Sequence, residues 1–400
     1  MNGRTQPLRV LCIDHEGGHG GSSRSLFLAL KHMDRTTVAA EVWCRRNGDV
    51  LNEYRQLGIP AHHIPDLPVW RADSTLRATV SGLRHLLPAL WRHRAVTASL
   101  AQRAQQFDVV HFNYISLQPL LWRLNRRVPV VMHMRHWPYT NWMTKWEVRR
   151  LSKRVDRFVF ITENERDIYR AMGGTGQHDV IYNVVEGAEA VVPYPAIPCD
   201  GRFLVGSIGN YAYGRGTDRL VEVAAALKAR GRTDILFVVA GDTHFHPADP
   251  GELGEMGKSG LGIPDVVARR NLAGQFLFLG HVPGAAGVIA GCDCLVRLSR
   301  RDDTWGRDTL EAMAAGKPVV AVGAWDGFVE SGKTGVRLAS YDPDQVALAL
   351  IDLVDKPNLR TLLGSAAKDR ISRLCDPRAR AADLARVWEQ KARNPQRVRA

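Results

Sequence analysis

The 400 residues of this chain exceed one ordinary core and suffice for two α/β domains. An apolar fraction of 45% and a charged fraction of 24% describe a globular chain, and no run reaches the roughly eighteen apolar residues of a membrane-spanning helix. The formal net charge of +13 favours an anionic partner, whether nucleotide, phospholipid surface or nucleic acid.

Residues 1–7 are polar and run straight into a strand, so a cytoplasmic chain without a signal peptide is expected. Leu8–Asp14 predicts a buried strand, 23–33 a helix, Val38–Cys44 a strand and 49–57 a helix. Strands at Val109–Phe112, 128–134 and 157–161 continue the series, with helices between them. Such alternation implies right-handed crossovers and a parallel, doubly wound sheet. At 191–200 the rhythm pauses, because Pro193, Pro195 and Pro198 suit an extended linker and no helix. It restarts with a strand at Phe203–Ile208, a helix at 217–230 and strands at 234–240, 276–279, 294–298, 318–322 and Gly335–Leu338.

The fold class expected is therefore α/β, with two Rossmann-like doubly wound domains facing each other across a cleft. Their predicted bounds are 1–192 and 201–375, joined by a hinge at 193–200 and followed by a C-terminal helix within 376–400. The Gly- and Pro-rich stretch 242–264 reads as one long loop, functional or mobile. Cys12, Cys44, Cys199, Cys292, Cys294 and Cys375 form no C-x-x-C cluster, which fits reduced structural thiols.

Ligands of such sheets bind beyond the carboxyl ends of the strands. The first strand runs into Asp14-His15-Glu16-Gly17-Gly18-His19-Gly20-Gly21, where glycines beside a helix start let backbone N–H groups approach a phosphate. A plain tight turn is the alternative. The richest segment is Ser299-Arg300-Arg301-Asp302-Asp303-Thr304-Trp305-Gly306-Arg307-Asp308-Thr309-Leu310-Glu311. Asp303 precedes a helix opening near Gly306 and Glu311 lies inside it, so both carboxylates can border one pocket. From these residues alone an acidic cap before an amphipathic core helix is the better reading. Arg307, in the first turn, opposes the helix dipole unless an anion binds there.

Gly306-x-x-x-Leu310-Glu311-Ala312-Met313-Ala314-x-Gly316-x-Pro318-Val319-Val320 resembles the signature of family-4 retaining glycosyltransferases, which have the GT-B fold. The opening glycine loop, Glu163, Ile181-Tyr182-Asn183 and Phe278-Leu279-Gly280-His281-Val282 fall in family order. The resemblance implies sugar transfer from a nucleotide-diphosphate donor with retained configuration. It places Asp303 where the first of two glutamates contacts the sugar and Glu311 where the second grips the ribose. Arg215 stands in the place of a diphosphate-binding Lys, and Asn210 in the place of an Arg. Arg135, with His136 beside it, falls where a His commonly faces the sugar. Catalytic roles are thus expected for Arg135, His136, Arg215, Asp303 and Glu311. Donor contacts are expected from Gly20, Gly21, Asn210, Arg215, Gly306, Arg307, Thr309, Leu310 and Glu311. In this family a terminal helix often crosses back onto the first domain.

No metal or cofactor is expected. Asp342-Pro343-Asp344 is better read as a helix cap than as a metal-diphosphate triplet, and His244-Phe245-His246 lacks a third ligand. The donor substrate is a sugar nucleotide, and the acceptor a glycan or a lipid-linked sugar in cell-surface polysaccharide or glycolipid synthesis. Residues 70–103 carry six arginines and one acid, and 122–154 interleave Arg and Lys with Trp122, Trp137, Tyr139, Trp142 and Trp146. That pattern suits peripheral docking on an anionic membrane; a solvated basic surface with core-facing tryptophans is the alternative. No basic-aromatic nucleic-acid motif is present, so no nucleic-acid partner is expected. A sugar-nucleotide epimerase of the same fold and an inactive relative remain alternatives.

Overall fold

The computed structural model describes residues 6–18, 20–71, 76–135, 140–187, 191–302 and 306–393. The chain divides into unit 1, residues 1–184 with 375–400, and unit 2, residues 185–374.

Unit 1 opens with β1 (Leu8–Asp14), α1 (Gly21–Lys31), β2 (Val38–Cys44), α2 (Asp49–Gln56) and β3 (Ala61–His63). Next come α3 (Leu76–Arg92), α4 (Arg94–Ala104), β4 (Val109–Phe112), a 3₁₀ stretch at Ile115–Trp122 and β5 (Val130–Met134). α5 (Trp142–Ser152), β6 (Arg157–Phe160), α6 (Glu163–Ala171) and β7 (His178–Val180) follow. The sheet is parallel in the order β3-β2-β1-β4-β5-β6-β7. Covering both faces requires strands apolar on both sides, and β4 and β5 are buried throughout. Val10 and Cys12 face a core shared with α1 and α2, whereas Leu11 and Ile13 face a second core shared with α4, the 3₁₀ stretch, α5 and α6.

Unit 2 contains β8 (Phe203–Ile208), α7 (Leu220–Ala229), β9 (Ile235–Ala240), α8 (Glu252–Lys258), α9 (Ile263–Arg269) and β10 (Phe276–Gly280). It continues with α10 (Ala285–Gly291), β11 (Cys294–Arg297), α11 (Arg307–Ala314), β12 (Val319–Val322), β13 (Gly335–Leu338), α12 (Pro343–Asp355) and α13 (Pro357–Leu374). Its sheet runs β10-β9-β8-β11-β12-β13, again parallel. The final helix, α14 (Pro377–Arg393), belongs to unit 1 and adds Ala381, Leu384, Val387 and Trp388 to the core beside α1.

Three local differences from the sequence reading have physical causes. The stretch 242–264 is not one loop, because it contains α8. Its glycines serve close packing: a Cβ on Gly254 would meet the Asp249 carbonyl oxygen at 2.1 Å, and one on Gly257 would meet the His246 carbonyl carbon at 2.6 Å. The helix expected at 217–230 starts with a 3₁₀ turn at Thr217–Arg219. Finally, β3 (which holds His62 and His63) and β7 are edge strands absent from the sequence reading, because three residues are too short to show a period. Asp342 caps α12 by accepting from the N–H groups of Asp344 and Gln345. No disulfide links the six cysteines, five of which are buried. No helix among the described residues is long and apolar enough to cross a membrane.

Candidate active site

In each sheet the strand order reverses once, at β1/β4 in unit 1 and at β8/β11 in unit 2. Crossovers run outward in both directions from such a point, which leaves a crevice at the strands' carboxyl ends.

In unit 2, close backbone approaches bring the loops together there. Gly209 and Gly241 both have φ +122°, and a Cβ on Gly241 would lie 2.6 Å from the Gly209 carbonyl. Gly216, at φ +72°, would strike the Leu298 carbonyl oxygen at 1.9 Å with any side chain. Arg215 leans across Gly209, its Nη1 reaching the Ile208 carbonyl oxygen at 3.4 Å. It shares a recess with Ser207, Thr217, Arg297 and Asp308. The β8 and β11 loops are clamped by Arg300, whose Nη1 donates to Asp218 at 2.7 Å and whose guanidinium lies 4.2 Å from the Tyr213 ring. Ser299 Oγ adds a bond to the Gly214 carbonyl at 2.8 Å.

The start of α11 is organised by a buried ion pair. Arg297 Nη1 meets the two carboxylate oxygens of Asp308 at 3.2 and 3.1 Å, and the side chains are 7% and 13% exposed. Gly306 is required beneath it, since a Cβ would lie 2.2 Å from Asp308 Oδ1. Asp308 and Thr309 carry first-turn N–H groups that a helix leaves without intrahelical acceptors. The Leu310 amide is committed to the Gly306 carbonyl at 3.0 Å. Leu310 and Thr309 side chains are buried, so the expectation that Leu310 contacts a donor meets neither a surface side chain nor an uncommitted amide. Arg307 and Glu311 pair with each other one turn apart, at 2.6 Å.

Asn210 also differs from its expected part. Its Oδ1 accepts from the Asp242 N–H at 3.0 Å, while the Tyr211 N–H bonds the Asp242 carbonyl at 2.7 Å. It pins the loops after β8 and β9 together. Asp303 and His136 lie outside the described residues. The adjacent Asp302 accepts from the N–H of Trp325 at 3.0 Å and from that of Ala324.

In unit 1 one guanidinium joins the ends of three strands, and a fourth is linked to it through Asn113. Arg135 Nε donates to Asn113 Oδ1 and Nη1 to Asn183 Oδ1, both at 2.7 Å, while Nη2 lies 3.1 Å from His133 Nδ1. Asn113 Nδ2 in turn donates to Asp14 Oδ1 at 3.3 Å and to the Ser22 carbonyl at 3.0 Å. Arg135 is thus a keystone between the ends of β1, β4, β5 and β7. Burial works against the charge of Asp14, but hydrogen bonds and the charge of His15 outweigh it and hold the carboxyl below its ordinary range. His15 stacks on Tyr114 with ring centroids 4.1 Å apart.

The opening glycines serve packing first. A Cβ on Gly17 would lie 2.4 Å from the Arg46 carbonyl oxygen, and one on Gly20 would overlap the Glu16 carboxylate. Gly21 begins α1. The residues that the sequence reading overlooked, Asp14, Asn113, Asn183, Arg297, Asp218 and Asp308, carried one usable signal. Asp14 and Arg297 end a strand and Asn113 follows one directly, which is where a doubly wound sheet collects polar function.

His111 and His133 lie fully buried behind this cluster. Trp388 Nε1 donates to His111 Nδ1 at 3.2 Å, which assigns the His111 proton to Nε2. Burial, with Arg135 adding to it, lowers the His111 pKa to about 3 and drives that of His133 down as well. Below about pH 6.5 the unfolded chain takes a proton on each ring that the folded chain refuses, so stability falls with pH in that range. Acidification from pH 7 to 5 should cost about 2 kcal/mol at His111, with His133 acting in the same direction. Thermal melts across that range should flatten in His111→Gln; an unchanged slope would remove His111 from this role.

Comparison with known proteins extends the pattern beyond these residues. Residues 20–183 match the family model described as glycosyl transferase 4-like domain, and 198–370 that described as glycosyl transferases group 1. The chain is 25% identical over 399 residues to a D-inositol 3-phosphate glycosyltransferase of Nocardiopsis dassonvillei, covering 90% of this chain and 87% of that one. It is 27% identical over 224 residues to a 2-deoxystreptamine glucosyltransferase of Streptomyces kanamyceticus, covering 52% of each. Among solved structures, Anabaena HepE in complex with UDP and glucose matches with a TM-score of 0.74 at 18% identity, over 96% of this chain and 100% of that one.

Proposed function

Because the chain belongs to the group 1 glycosyltransferases, of the family-4 type with the GT-B fold, we propose that it is a retaining, metal-independent hexosyltransferase. Its donor is a nucleotide-diphosphate sugar and its acceptor a glycan or lipid-linked sugar at the cytoplasmic face of a membrane, in cell-surface polysaccharide or glycolipid synthesis. The observation that carries this reading is the convergence of Arg215 and the start of α11 on one recess at the unit 2 switch point.

In the reaction the bond from the sugar's C1 to the leaving diphosphate oxygen breaks. The acceptor oxygen bonds C1 on the same face, and the acceptor proton passes to the departing phosphate. Negative charge grows on that phosphate, so donors already aimed at it lower the barrier most. Arg215 and the first-turn amides of α11 take that part. Glu311 holds the ribose hydroxyls with its carboxylate oriented by Arg307, and Asp303 holds the sugar hydroxyls. Arg135 braces the unit 1 strand ends that face the acceptor, with His136 beside it.

A thermal-shift screen against UDP-, GDP- and ADP-sugars tests the reading. One nucleotide class at a hundred times its dissociation constant should stabilise the protein by about 2.7 kcal/mol. Glu311→Ala should abolish that shift, and transfer should survive EDTA. No shift with any donor would favour an inactive relative; an epimerised donor without released nucleotide would favour an epimerase.

A further inference from the structure

From residue 74 to residue 146 the sole acidic residue in the sequence is Asp108, and its carboxylate accepts from the Arg9 N–H at 2.9 Å. The fold makes this acid-poor segment a surface. α4, the 3₁₀ stretch and α5 cover one face of the unit 1 sheet, burying Leu100, Leu117, Leu121, Val148 and Leu151 in a common core. α3 packs on α4.

The outward faces of these elements are apolar and cationic together. α5 exposes Trp142 (67%), Lys145, Trp146 (48%), Arg149 and Arg150, whereas its one acid, Glu147, turns inward to Gln118. The Arg150 guanidinium sits between two indoles, 4.5 Å from the Trp122 ring and 4.6 Å from the Trp146 ring. On α3, Val80, Leu83, Leu87 and Trp91 recur at steps of three and four, which places them on one side of the helix. All four are exposed, Leu87 at 67% and Trp91 at 74%, while Gly82 and Leu86 on the other side are half-buried. Arg84 shares the exposed side, and Arg94 lies 5.7 Å from the Trp91 ring.

We propose that this face of unit 1 docks onto an anionic lipid bilayer, with the α3 stripe and the α5 indoles inserted at the headgroup level and the arginines on lipid phosphates. Indoles favour that interface because the ring is apolar and its N–H is not. The absence of exposed acids across two successive helices matches a uniformly anionic surface, whereas a protein partner presents charges of both signs. The proposal names the surface at which a lipid-linked acceptor would be met and rests on the transferase reading only for that purpose. Vesicle binding needs neither donor nor acceptor, so the two readings fail separately.

The test is co-sedimentation of the full chain with vesicles of phosphatidylcholine alone and of equimolar phosphatidylcholine and phosphatidylglycerol. Binding to the anionic vesicles should be at least about tenfold tighter, given about 1 kcal/mol per engaged cation, and should weaken with added salt. The pair Leu87→Glu with Trp91→Glu should cut it about tenfold through the lost apolar insertion, as should Trp142→Ala with Trp146→Ala. Arg84→Glu should weaken binding to the anionic vesicles in the same direction, and an unchanged melting temperature without ligand shows that each variant is folded. Equal binding to both vesicle types, or variants that bind like the parent chain, would overturn the proposal. A concentration-dependent dimer abolished by Leu87→Glu would also overturn it, by showing that a second copy covers the stripe.

Discussion

Arg215→Ala is expected to lower kcat/KM for sugar transfer by about 10²–10³-fold, the effect of removing one preorganised donor from a developing anion. The side chain lies across Gly209 in the recess that also holds Arg297 and Asp308. Its bond to the Ile208 carbonyl, at 3.4 Å, is at the long limit of hydrogen bonding and is readily exchanged for a phosphate oxygen. Arg215→Lys keeps the charge and loses only the planar fork, so it should retain most of the rate. Neither change should shift the melting temperature appreciably, because the residue is exposed. Steady-state kinetics with the donor found by thermal shift decide the matter. A rate for Arg215→Ala within a factor of about two of the parent would take Arg215 out of the leaving-group site, since one such donor is worth far more.

Asp308→Ala should cost unit 2 about 3–5 kcal/mol, because it removes the carboxylate facing the Arg297 guanidinium in a site where that side chain is only 7% exposed. For a unit of this size the loss corresponds to a melting temperature roughly 10 °C lower. Replacing both partners, as Arg297→Met with Asp308→Leu, should recover much of that stability, since the desolvation of both charges disappears along with their attraction. The double variant should still lose transfer activity if the pair shapes the start of α11, on which Asp308 sits with Gly306 beneath it. Calorimetric melts of the two variants are the measurement. A drop of under about 2 °C for Asp308→Ala would mean that water reaches Arg297 and that the pair is not buried in solution.

Arg307 and Glu311 show how a motif can be legible while its geometry is not. Arg307 is expected at the donor from its place in the first turn and Glu311 from the resemblance, yet they bond each other at 2.6 Å. A ribose held at Glu311, as proposed, would share its carboxylate with Arg307. Asn210 teaches a similar lesson, since a change of residue that removes a positive charge also supplies the acceptor that the Asp242 N–H requires.

The sequence by itself determined the architecture, because the strand and helix periods of the two sheets are local and each is complete within a few residues. It also determined the α11 segment, whose functional residues lie within two turns of one helix. The tertiary structure alone decided which polar groups meet. Asp14 and Asn113 are 99 residues apart, Arg300 and Asp218 are 82 apart, and Trp388 reaches His111 across 277. Each of these pairs depends on the order in which strands are laid into a sheet and on the point where that order reverses. No local pattern encodes that order, because neighbours in the sheet at β1/β4 and β8/β11 are not neighbours in the chain.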